Sequence, residues 1–263
     1  MEGEGNFIWY ELMTADPEAA GAFYEAVVGW TLRRSDNTTA GGEPYYLFNI
    51  PGFEMPAAGM MKLTPEMMSG GARPAWMGYV FVADVDAKAQ AFADAGGSVH
   101  MPPTDVPQIG RFAVVADPHG AIIYIFQPNM PDGPMPDMPQ PGSPGTVGWN
   151  ELYAGDEKEA TAFYTKLFGW KTSQGMDMGP MGTYQLFANE ERDIGGIMTK
   201  MPEMPAPFWN FYFVVDALDA AIDEAKERGA TVINGPMEVP GGAWAVSAMD
   251  PQGAVFSLTA AKR

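Results

Sequence analysis

Trp9-Tyr10-Glu11-Leu12-Met13-Thr14-Ala15-Asp16-Pro17-Glu18 runs on to Phe23-Tyr24 and closes at Gly29-Trp30. The signature returns as Trp149-Asn150-Glu151-Leu152, Asp156, Phe163-Tyr164 and Gly169-Trp170, each position 140 residues after its counterpart. Phe7 to Met13 alternates as a strand, with Phe7, Trp9, Glu11 and Met13 on one face and Ile8, Tyr10 and Leu12 on the other. Asp16-Pro17-Glu18 opens a helix: a capping carboxylate, a proline where no amide donor is needed, then an acid near the positive helix end. Ala19, Phe23, Ala26 and Val27 recur at helical spacing as the expected buried stripe, and Gly29 ends the helix.

Outward from this stretch, further strands are expected near 31–34, 45–50 and 57–63, with 65–74 as a loop. A second strand–helix–strands unit opens at Trp76–Val82. Its helix carries Ala89, Phe92 and Ala93 on the apolar side, and strands follow at Ser98–Met101, Phe112–Ala116 and Ala121–Gln127. The second half repeats this order. Tyr45, Leu47 and Phe48 match Tyr184, Leu186 and Phe187 at a separation of 139, and Gly59 and Met61 match Gly196 and Met198 at 137. Trp76–Val82 matches Trp209–Val215, and Asp117-Pro118-His119-Gly120 matches Asp250-Pro251-Gln252-Gly253, both at 133. The separation is constant inside each element and steps down only across loops, as in a duplicated fold with trimmed connections. The expected architecture is α+β: four βαβββ modules in two tandem domains, 1–128 and 147–263, joined by a Pro/Gly-rich, semi-rigid linker over 129–146.

Charge and composition narrow the function. With 33 acidic and 15 basic residues the net charge is −18, which disfavours nucleic acid and anionic membrane surfaces as partners. The absence of cysteine removes thiolate catalysis, disulfides and Cys-based zinc sites. No signal-like or membrane-spanning run is visible, so a cytoplasmic location is expected. Walker-type loops, dinucleotide glycine turns and Ser-His-Asp arrangements are also missing from any supporting context.

The repeated Asp…Phe-Tyr…Gly-Trp run and the two Asp-Pro-x-Gly turns resemble the vicinal oxygen chelate superfamily, which includes glyoxalase I, bleomycin-resistance proteins and extradiol dioxygenases. The resemblance spans nearly the whole chain outside the linker. It implies cup-shaped sheets built from paired modules, and in metal-using members His or Glu ligands on the first and last strands. Here those positions fall on Trp9, about Met60, Met77 and Tyr124, and on Trp149, about Ile197, Asn210 and Ser257. Zinc, nickel and non-haem iron want imidazole and carboxylate together, so neither a metal nor another cofactor is expected.

Glu11 and Glu151 are the expected catalytic residues. Each shares a strand face with a tryptophan, where a poorly hydrated carboxylate is suited to general acid–base work. The bland alternative is an ion pair or a cap. Trp9, Tyr79 and Tyr124 in one cup, and Trp149, Asn210 and Tyr212 in the other, are the expected ligand-binding residues, offering flat surface for a planar molecule. Ordinary core packing is the competing account. Trp76 and Trp209 are assigned to the helix-side core, His119 to a solvated turn, and Arg111 to an acid partner or the rim.

The sequence therefore reads as a glyoxalase-like small-molecule protein, monomer or homodimer, that binds an aromatic or planar metabolite without a metal. Two alternatives remain. One is a metal-dependent lyase, glyoxalase-type or dioxygenase enzyme; the other is sequestration without turnover, as in bleomycin-resistance proteins.

Overall fold

A computed structural model describes residues 3–39, 41–129 and 136–263. Each of its four modules is one strand, one helix and three strands. The first is β1 (Phe7–Thr14), α1 (Pro17–Val28), β2 (Thr31–Thr38), β3 (Pro44–Asn49) and β4 (Pro56–Lys62). A short α2 (Pro65–Ser69) occupies the segment expected to be loop, because Thr64 caps it and Pro65 fits its first position. The second module is β5 (Ala75–Phe81), α3 (Val85–Asp94), β6 (Ser98–Val106), β7 (Gly110–Ala116) and β8 (Ile122–Pro128). The third is β9 (Val147–Ala154), α4 (Glu157–Phe168), β10 (Lys171–Asp177), β11 (Thr183–Asn189) and β12 (Arg192–Thr199). The fourth is β13 (Phe208–Val214), α5 (Leu218–Glu227), β14 (Thr231–Glu238), β15 (Trp244–Met249) and β16 (Val255–Ala260). Part of the proposed linker, residues 130–135, lies outside the described residues.

The strands form two eight-stranded mixed sheets, ordered β2-β3-β4-β1-β5-β8-β7-β6 and β10-β11-β12-β9-β13-β16-β15-β14. The fold is α+β, with four repeated modules. β6 runs past the expected end at Met101, through Pro102 and Pro103, to Val106. Proline is tolerated there because β6 is a sheet edge and its outer side needs no ladder donors.

Helix starts follow the sequence reading. Asp16 accepts from the Ala19 amide at 3.1 Å, and Gly29 ends α1 in the left-handed region. The buried stripe is shifted from the expected one: Ala20, Phe23, Tyr24, Val27 and Val28 are buried, whereas Ala19 and Ala26 are not. The shift turns Tyr24 inward, where its hydroxyl has a buried partner described below. On α3, Val85, Ala89 and Phe92 are buried and Ala93 is exposed.

The chain packs as two compact units whose borders fall inside the four central strands: after Ile8 in β1, Trp76 in β5, Gly148 in β9 and Asn210 in β13. One unit is built mainly from the second and third modules, the other from the first and fourth. In the first–fourth unit, Trp76 packs against Phe213 at 4.8 Å between ring centroids, Tyr24 against Trp76 at 5.1 Å and Phe23 against Phe256 at 5.6 Å. In the second–third unit, Trp170 stacks on Phe187 at 4.4 Å and Phe92 meets Phe163 at 5.3 Å. Trp76 and Trp209 are both core residues, as expected.

Two sets of hydrogen bonds join the halves inside these units. The Trp30 indole donates to the Gly145 carbonyl and the Trp170 indole to the Gly5 carbonyl, each at 2.8 Å. Both glycines have positive φ, and a side chain at Gly145 would press on Ile50 and on the Trp30 nitrogen. The Gly-Trp signature at each helix exit therefore pins the segment that leads into the other half's first strand.

Candidate functional site

Alternation along β1 puts Trp9 and Glu11 on one face, and the register of β3, β4 and β1 brings Tyr45 and Gly59 to the same place. The Tyr45 hydroxyl donates to Glu11 Oε2 at 2.6 Å and accepts from the Trp9 indole at 3.3 Å. Glu11 is 6% exposed. A buried carboxylate is costly unless hydrogen-bonded, and a phenol donor at this distance meets part of that cost.

The duplicate is built in the same way in the other unit. The Trp149 indole donates to the Tyr184 hydroxyl at 2.8 Å, and Tyr184 lies beside Glu151, which is 5% exposed. Burial, then the neighbouring Glu151 charge, pushes the Tyr184 phenol well above its ordinary range, so it stays protonated. Each group is thus an indole, a phenol and a carboxylate in series.

Glycine makes these groups possible. A Cβ at Gly59 would stand 1.9 Å from the Tyr45 oxygen, and one at Gly196 would stand 2.2 Å from the Tyr184 ring. The hydroxyl end of each ring occupies the space where a side chain would otherwise project. In the sequence Tyr45, Tyr184, Gly59 and Gly196 stand out only as repeat positions. Their shared, twice-used spacing was the signal that they belong with the tryptophan and glutamate.

The remaining site residues fall as follows. Tyr79 and Tyr124 are register partners on β5 and β8, with ring centroids 4.5 Å apart, and Phe112 lies parallel to Tyr124 at 6.0 Å. Asn210, 2% exposed, and Tyr212 share a face of β13, and Tyr212 is in register with Ser257 on β16. The Ser257 hydroxyl is 2.8 Å from that of Ser247. Arg111 takes the blander of its two readings: it bonds both oxygens of Asp86 and one of Asp105. His119 is held 2.6 Å from Glu159 rather than freely solvated.

The fold family implies a metal, and the donor set can be tested against it. Pairing of Tyr46 with Met60 and of Tyr45 with Met61 puts Met60 on the face opposite Tyr45. The fully buried Met60 and Ile197 therefore are not the site-face positions expected from spacing; Gly59 and Met61, and Gly196 and Met198, are. The four family positions then read Trp9, Gly59 or Met61, Met77 and Tyr124 in one half. In the other they read Trp149, Gly196 or Met198, Asn210 and Ser257. None offers an imidazole or carboxylate, and these residues do not fit a zinc, nickel, manganese or iron centre. Among the described residues no three His, Cys, Asp or Glu side chains are grouped to hold a metal.

A second kind of indole–phenol–carboxylate series lies in the core. In one unit Trp76 donates to the Tyr24 hydroxyl at 2.8 Å, which donates to Asp250 Oδ2 at 2.9 Å. Asp250 Oδ1 meanwhile accepts two amides of its own turn, from Gln252 and Ala254. In the other unit Trp209, Tyr164 and Asp117 form the equivalent cluster, with looser geometry that leaves the Tyr164 hydroxyl and Trp209 indole outside hydrogen-bond limits. Tyr24 of the Phe-Tyr motif and Asp250 of the Asp-Pro-x-Gly turn are therefore latch and catch, one from each half. Two open clefts, one of about 410 Å³ beside Asp16 and Tyr46 and one of about 350 Å³ beside Arg111, are lined by none of the residues of the two Trp–Tyr–Glu groups.

Comparison with known proteins agrees with this architecture. A Mycobacterium tuberculosis protein provisionally named a glyoxylase is 34% identical over 257 residues, spanning 97% of this chain and 94% of that one. The anthracycline biosynthesis protein DauV of a Streptomyces species is 31% identical over 260 residues, spanning 95% and 91%. Among solved structures, the Mn(II)-bound glyoxalase of Novosphingobium aromaticivorans superposes with a TM-score of 0.66 at 18% identity, covering 98% of this chain and 82% of that one. The 2,3-dioxygenase LapB of a Pseudomonas species gives 0.64 at 15% identity, covering 98% and 93%. At these identities the structural likeness is one of fold. Residues 6–125 and 146–258 both match one family description, and on that match the chain belongs to the Glyoxalase/Bleomycin resistance protein/Dioxygenase superfamily.

Proposed function

We propose that this protein is a glyoxalase-like small-molecule protein that takes a planar aromatic metabolite at its Trp–Tyr–Glu groups and works without a metal. Glu11 and Glu151 are its acid–base residues. Trp9, Tyr79, Tyr124, Trp149, Asn210 and Tyr212 are its ligand-binding residues. The observation that carries the reading is the 2.6 Å bond from Tyr45 to Glu11, built again around Glu151. An indole N–H does not titrate and the Tyr184 phenol is held protonated, so proton transfer in the group belongs to the carboxylate. The indole supplies a flat stacking surface beside it. Support for a planar ligand comes also from the relatives named for anthracycline biosynthesis, a class of fused-ring compounds.

The hydroxyanthraquinone quinizarin is a suitable probe. Titration should quench tryptophan fluorescence saturably, and Glu11→Gln should weaken binding by about tenfold, the loss of one charge-assisted hydrogen bond; Glu151→Gln is the matching variant of the second group. Unchanged binding in both variants would remove the glutamates from the site. Stoichiometric zinc, manganese, nickel or iron in protein purified without an affinity tag would overturn the metal-free part. Binding with no product would identify sequestration; turnover that survives a chelator would identify a metal-free enzyme.

A further inference from the structure

The second and fourth modules are copies, yet their two sheet faces have diverged in different ways. On the helix side the copies keep one chemistry. Trp76, Val80, Ala113, Val115, Ile123 and Ile125 are replaced, position for position, by Trp209, Phe213, Val246, Ala248, Phe256 and Leu258, all apolar and all buried. A face that only packs needs only to remain apolar and of suitable volume.

The opposite face has changed in kind. In the second module Tyr79, Tyr124, Phe126 and Phe112 lie together on β5, β8 and β7, with Tyr79 to Phe126 at 6.1 Å and Phe112 parallel to Tyr124. Gly110 gives this group room, because a Cβ there would stand 2.8 Å from the Phe126 ring. In the fourth module the same positions hold Tyr212, Ser257, Thr259 and Ala245, and Ser247 replaces Val114. Three aromatic rings have been exchanged for small or hydroxylated side chains. Burial does not account for the exchange, since Tyr124 is 9% and Ser257 0% exposed.

We propose that the position held by Tyr124 in one copy and Ser257 in the other sets the ligand class. The β5–β8–β7 face stacks a planar aromatic ring, while the β13–β16–β15 face refuses it. The latter presents a hydroxyl row, Tyr212, Ser257 and Ser247, to oxygen-bearing groups instead. This rests on the reading above that the chain binds a planar ligand. A fused-ring molecule gains from parallel rings at van der Waals separation, and a serine pair offers it neither area nor a π face.

Calorimetric titration with quinizarin tests the assignment. The wild-type protein should show one strong site per chain. Tyr124→Ser should weaken that site by about tenfold or more, the loss of one stacked ring, and Tyr124→Phe should retain it. Ser257→Tyr should add a second site; thermal melts of each variant show whether it is folded. Two equivalent strong sites in the wild type, or unchanged affinity in a folded Tyr124→Ser variant, would overturn this inference while leaving the planar-ligand reading intact. No binding of quinizarin to the wild type would overturn both.

Discussion

Gly59 and Gly196 carry more of the site than their size suggests. Tyr45 reaches Glu11 only because nothing projects from the strand beneath it, and a methyl group at Gly59 would overlap the phenol oxygen. Gly59→Ala should therefore push Tyr45 off Glu11 and cost about 1–3 kcal/mol by overpacking, with Gly196→Ala behaving alike. For a chain of this length that is a fall of roughly 2–10 °C in the melting midpoint. Tyr45→Phe separates the two contributions: the ring stays and the donor goes, leaving a buried carboxylate oxygen short of one bond at about 1–3 kcal/mol. An unshifted midpoint in both variants would show that the packed arrangement is not what holds Glu11. At this scale the sequence was half legible. Alternation along one strand was enough to place Trp9 with Glu11. Tyr45 and Gly59 lie on other strands, and nothing local to Glu11 points to them; their duplication marked them without saying what they touch.

At the scale of the element, the buried phenols tie helices α1 and α4 and strand β11 to pH. Burial, then the Asp250 charge, raises the Tyr24 phenol well above its ordinary value of 10.0; burial and Asp117 do the same for Tyr164, and burial and Glu151 for Tyr184. A raised folded-state pKa means that the folded chain holds the proton more tightly. The stabilisation is complete below the ordinary phenol value and is lost as pH rises above it. Stability measured by urea unfolding should hold to about pH 9 and fall steeply beyond about pH 10. Tyr24→Phe should lower stability at neutral pH by about 1–3 kcal/mol and make the alkaline slope shallower by one proton. An identical slope in that variant would show that Tyr24 does not contribute. Asp117 and Asp250 also have raised pKa values, chiefly from burial, so their contribution is present below the ordinary carboxyl value of 3.8 and is lost as pH rises through the folded value. Helix starts, strand order and the βαβββ repeat were legible because capping and alternation are local. The face α1 buries was misjudged by one position, because Tyr24 is drawn inward by an aspartate from the other half of the chain.

At the scale of the whole molecule, duplication was legible as a spacing, but the way the copies share their cores was not. A repeat shows which segments are alike, not which of them pack. Each compact unit takes one module from either half, so each core is completed by residues far apart in sequence. Phe23 meets Phe256, Phe92 meets Phe163, Tyr24 bonds Asp250, and the indoles of Trp30 and Trp170 bond Gly145 and Gly5. Burying one large aromatic side chain contributes about 1.5–3 kcal/mol. Half a dozen rings exposed at once would therefore cost about 9–18 kcal/mol, as much as the roughly 5–15 kcal/mol that keeps a domain folded. Separately expressed 1–128 and 147–263 should each be insoluble or only partly folded, whereas co-expressed halves should purify as a single complex. A protease site inserted after Gln140 gives the same test in the assembled protein. After cleavage the two pieces should elute together in size-exclusion chromatography and melt in one transition at nearly the uncut temperature. Separation into two folded pieces with independent transitions would mean that each half completes its own core, and that the Tyr24 and Trp30 latches contribute little.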